Sequence, residues 1–114
     1  MVSKLDRTAL TNARKLVKEG QVVRDQRDDW SEHAPTAAEE NIFIEKHGWD
    51  AYAAWHLGVD LEKPADTKGR YSFPFGDFTK VHRCAVISLE SKAAQNGHED
   101  ITTSTKNLLK LIDS

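Results

Sequence analysis

Apolar positions along the chain recur mostly at helical spacing. Leu5, Ala9, Ala13, Leu16 and Val17 fall close to the period of one helix face, and Gly20 supplies a stop. Ser3, with Asp6 three residues on, offers a capping arrangement at the start of that helix. Val22 and Val23 are apolar, but the run from Arg24 to Trp30 is densely charged and Pro35 punctuates its end. No element is assigned to 21–35. A second helix is expected from Thr36, with Glu39 as capping partner. It should turn Ala38, Ile42 and Phe43 inward and stop at His47 and Gly48. Asp50 can cap a third, short helix, Ala51 to Leu57, closed by Gly58. Trp49, Tyr52, Ala53 and His56 share one side of it, while Trp55 points elsewhere.

The pattern then changes. Pro64, Gly69, Pro74 and Gly76 argue against helix through 59–76. Tyr71, Phe73 and Phe75 alternate with Arg70, Ser72 and Pro74, a strand-like period, but Pro74 limits any strand to a sheet edge. An extended strap laying three rings across helices is the favoured reading. After it, Asp77 is expected to cap the most amphipathic element, with Phe78, Val81, His82, Ala85, Val86, Leu89 and Ala93 on one face. Asn96 and Gly97 end it, and a last helix runs from about Glu99 to Ile112. The expected fold is therefore all-α: four or five short helices around one core, with an extended aromatic loop over about 67–77, in a single domain covering 1–114.

Composition fits such a domain. A chain of 114 residues, 39% hydrophobic and 30% charged, can fold around its own core. No apolar run is long enough to span a bilayer, so no membrane partner is expected. Cys84 is the only cysteine, which rules out an internal disulfide. The N-terminus, MVSKLDRTAL, shows no apolar signal region, and the expected location is the cytoplasm, most simply of a bacterium. The net charge of −2 hides three blocks. Residues 1–24 carry six basic and two acidic groups, 25–66 carry three and eleven, and 67–92 carry five and two. Such blocks either steer partners or attract one another within the fold, and the second reading is preferred.

Candidate chemistry is sparse. His82 and Cys84, two apart on an expected helix, would diverge, and no CxxC or HExxH spacing occurs, so no metal site is expected. His82 reads as a core histidine hydrogen-bonded to a neighbour, and Cys84 as a buried, inert thiol. No nucleophile motif, phosphate loop or dinucleotide fingerprint appears, so neither catalytic residues nor a cofactor are assigned. The stretch KGRYSFPFGDFTKVHR, Lys68 to Arg83, interleaves basic residues with rings. Arg70, Lys80 and Arg83 are its candidate ligand-binding residues, since such patterns can contact phosphates and stack on bases.

The segments WDAYAAWHLGVD (Trp49 to Asp60) and TKGRYSFPFGDFTKVHRCAVISLESKAAQNGHEDI (Thr67 to Ile101) resemble a family of small uncharacterised bacterial proteins, partly phage-associated. The resemblance covers roughly 37–113 and implies a standalone domain, with no activity or cofactor to transfer. The leading functional expectation is a small non-enzymatic binding or interaction domain, with another protein as partner. Binding of nucleic acid or another anionic ligand through 68–83 is the alternative, and a small enzyme comes third.

Overall fold

The computed structural model describes residues 4–25 and 30–114. Strand β1 (Lys4–Leu5) leads into helix α1 (Arg7–Lys18). Asp6 caps α1, its carboxylate accepting from the Thr8 and Ala9 amides at 3.0 and 3.2 Å. The expected cap Ser3 lies outside the described residues. The apolar stripe of α1 buries Ala9, Leu10, Ala13 and Val17. Strand β2 (Val22–Val23) and the short helix α2 (Trp30–His33) lie in the stretch to which the pattern assigned nothing. Helix α3 (Ala37–His47) begins at the capping box that the sequence predicts, Thr36 with Glu39, and ends at Gly48. Helix α4 (Trp49–Ala53) follows directly.

From this point the all-α expectation is overturned, because the fold is mixed α/β. Strand β3 (His56–Val59) is the centre of an antiparallel three-stranded sheet, between β1 and β4 (Tyr71–Pro74). Gly58 pairs with Leu5 on one side and Ser72 on the other. A second sheet joins β2 in parallel to β5 (Val81–His82), with Val22 opposite Val81 and Val23 opposite His82. The strands are two to four residues long, and only β4, within the alternating 70–75 stretch, shows a period of two. The central strand also carries no polar alternation, since His56, Leu57 and Gly58 are all buried. Its sequence therefore continues the apolar spacing of α4 and reads as helix.

The extended aromatic loop of 67–77 is likewise a 3-10 turn, Lys68–Arg70, followed by β4. Pro74 sits at the edge of the sheet, where a missing N–H costs no ladder bond. The helix expected from Asp77 begins only at Arg83, as α5 (Arg83–Gln95). Asp77 instead caps a tight turn, accepting from Thr79 N and Lys80 N at 2.9 and 2.7 Å. Phe78 has φ of 70°, which no helix can continue through. Helix α6 (Glu99–Asp113) closes the chain.

Helices α1, α5 and α6 pack together with β3 and β5 around Leu57, Phe75, Val81, Val86, Ile101, Leu108 and Ile112. Helix α3 stands outside this core, with no fully buried residue. Its Ala38 is exposed and its Ile42 is 52% exposed, contrary to the inward placement expected. Phe43 alone of that set leans on the body, stacking on Phe78 at 4.3 Å. Trp55, by contrast, is buried and stacks on Phe75. Among the described residues, no helix is long and apolar enough to cross a membrane.

Candidate functional site

Among the described residues, two places concentrate chemistry. The first lies where the parallel β2–β5 pair ends. Asp25 comes two residues after β2, as Cys84 comes two after β5, and the shared register sets them side by side. Asp25 Oδ1 accepts the Cys84 amide at 2.8 Å, which caps α5 from across the chain. The helix needs this, since its own N-cap residue, His82, makes no side-chain cap bond. Asp25 Oδ2 lies 2.7 Å from His82 Nδ1, and Asp77 Oδ2 lies 2.7 Å from His82 Nε2. The Cys84 thiol also hydrogen-bonds the Asp25 carboxylate.

With a carboxylate oxygen against each ring nitrogen, both nitrogens donate and the imidazole is a cation. Burial works against that charge, but the hydrogen bonds from His82 to Asp77 and Asp25 outweigh it and hold its pKa above the ordinary value. Burial likewise opposes ionisation of the two acids. For Asp25 the Cys84 amide and His82 prevail, and for Asp77 it is His82 with the Lys80 and Thr79 amides, so both stay below the ordinary carboxylate range. His82 is thus the buried, hydrogen-bonded histidine that the sequence suggested. Its divergence from Cys84 is overturned, because His82 ends a strand and α5 starts only after it. Ligand atoms of Asp25, His82 and Cys84 lie within 4.8 Å of one another. A sequence separation of 57 between Asp25 and His82 hides this constellation from any local motif.

The second place is a cavity of about 210 Å³ between β4, α5 and the turn into α6. Phe73, Pro74 and Leu89 give it an apolar wall, and Ser72, Lys92, Asn96 and His98 supply polar groups. Phe73 takes a left-handed φ of 60°, strained for a bulky residue, and its ring meets His98 edge-on at 5.7 Å. The ring and Ser72 Oγ crowd the space above Gly58, where an added Cβ would meet them at 2.6 and 2.5 Å. Ser72 Oγ is buried without a hydrogen-bond partner among the described residues.

The three candidate ligand residues from the sequence do not converge on either place. Arg83 is held by Asp113 through two hydrogen bonds of 2.8 and 3.2 Å. Arg70 donates to the Lys63 carbonyl at 2.7 Å. Lys80 is exposed on the turn after Phe78. Lys68, in the same stretch, pairs with Glu40 at 3.2 Å. A further buried histidine, His56, hydrogen-bonds the Tyr52 carbonyl through Nδ1, and burial holds its pKa below the ordinary value.

Comparison with known proteins gives no match to a family model, a curated protein or a solved structure.

Proposed function

We propose that the protein is a small non-enzymatic binding domain whose ligand is a small anionic amphiphile, held between β4, α5 and the turn into α6. The observation that carries this reading is the composition of the cavity: an apolar wall beside Lys92, His98, Asn96 and an unsatisfied Ser72 hydroxyl. An apolar pocket with a few convergent polar groups is the usual form of a small-molecule site. The strain at Phe73 supports it, because left-handed bulky residues concentrate where a wall must be shaped for a ligand. The volume suits a short aliphatic or single-ring carboxylate, whose chain would lie on Phe73 and Leu89 with its charge toward Lys92.

Nucleic acid fits less well. Arg83 and Lys68 spend their charge within the fold, on Asp113 and Glu40. Calorimetric titration with hexanoate and with hexanol tests the proposal. Hexanoate should bind about two- to fivefold more tightly at low salt, in line with a partly exposed ion pair. Lys92→Ala should erase that preference while leaving the weaker apolar binding. No heat with either compound, or a preference unchanged by Lys92→Ala, would overturn the assignment.

A further inference from the structure

We infer that Asp25, His82 and Cys84 form a binding site for one transition-metal ion of the zinc type, with Asp77 holding the histidine from behind. The three side chains supply one oxygen, one nitrogen and one sulfur, a donor set suited to zinc and cobalt and poorly suited to calcium or magnesium. Their ligand atoms already lie within 4.8 Å of one another. Tetrahedral zinc at ordinary bond lengths separates such atoms by about 3.3–3.5 Å. An ion would enter by parting Asp25 Oδ2 and His82 Nδ1, now 2.7 Å apart. Among the described residues three ligands are present, one fewer than the four of a closed tetrahedral site.

Asp77 adds an independent argument. Its Oδ2 lies 2.7 Å from His82 Nε2, so the ring is oriented with Nδ1 toward Asp25 and Cys84. A carboxylate on the far nitrogen of a ligating histidine is the usual support of a zinc site. Charge also balances. Among the described residues, the metal-free cluster contains two carboxylates, one imidazolium and one thiol. Binding a dication releases one proton from Cys84 Sγ and one from His82 Nδ1, so the net charge of this buried site does not change. The ion takes the place of the two protons by which Cys84 and His82 bond to Asp25.

Titration of the metal-free chain with Co²⁺ tests the inference. A near-ultraviolet thiolate-to-cobalt band should grow to a plateau at one equivalent, disappear when Zn²⁺ is added, and be accompanied by release of about two protons per ion. Cys84→Ser should abolish the band while retaining a cooperative melt. Asp77→Asn should keep the band but weaken affinity about 10–100-fold. Zn²⁺ should raise the melting temperature of the wild-type chain and not that of Cys84→Ser. A folded wild-type chain that shows no band, or a band that survives Cys84→Ser, would overturn the site.

Discussion

His82 joins the two acids of one buried polar cluster. It is 3% exposed and carries a positive charge between two carboxylates. Because its folded pKa is raised, its stabilisation is complete below the ordinary value of 6.5 and is lost as the pH climbs through the folded value. Asp25 and Asp77, with lowered pKa values, stabilise fully above 3.8 and lose that contribution as the pH falls through their folded values. His56 acts against His82: burial depresses its pKa, so its contribution is complete above 6.5 and declines as the pH drops below it. Denaturant titrations across pH, with a chelator present, should therefore separate the two. His82→Gln should flatten the alkaline decline, and His56→Gln the acid decline just below 6.5. An alkaline limb unchanged in His82→Gln would contradict the doubly bonded imidazolium. Asp25→Ala removes both the α5 cap and one partner of a buried cation. The cap contributes about 1 kcal/mol and the ionic hydrogen bond about 1.5–3 kcal/mol, so chemical denaturation should record a loss of about 2.5–4 kcal/mol.

The segment from His56 to His82 shows why the helices were legible and, apart from the alternation over β4, the strands were not. Capping at Thr36–Glu39, the α1 stripe and the end of α5 before Gly97 all come from residues within one or two turns of each other. The strands depend on distant partners: β1 reaches β3 across more than fifty residues, and β2 reaches β5 across a similar distance. Neither pairing leaves a local period. Phe78, Val81 and His82 fit the helical spacing of α5, yet the left-handed Phe78 and the pairing of Val81 with Val22 place them in a turn and a strand. The metal-type cluster was illegible for the same reason. His82 and Cys84 were visible as residues, but only the β2–β5 register brings Asp25 to them. Close approach of backbone at Gly76 gives this segment a direct test. An added Cβ there would collide with the Lys80 carbonyl and come within 2.5 Å of the Trp55 ring. Gly76→Ala should cost about 1–3 kcal/mol by thermal or chemical melting. Gly69→Ala, whose nearest contact is the flexible Lys63 side chain at 3.6 Å, should stay within about 0.5 kcal/mol of wild type.

Taken together, the charge blocks are partly neutralised within the fold. The acidic middle meets the basic segment at Glu40–Lys68, and Arg83 turns to Asp113 near the C-terminus. Fluorescence anisotropy with short labelled DNA and RNA at low salt should accordingly be flat. Salt-sensitive binding that weakens on Arg83→Ala would return the basic segment to first place. Among the described residues, the cavity beside β4 is lined by none of the residues of the buried cluster at Asp25 and His82. The most direct measurement of the binding role is an intermolecular NOE experiment on labelled protein with hexanoate. The account predicts cross-peaks from the ligand methyl group to the Phe73 ring and the Leu89 methyl groups, with amide shifts centred on Ser72, Lys92, Asn96 and His98. Saturating hexanoate with no such cross-peaks, or contacts confined to other parts of the surface, would contradict it.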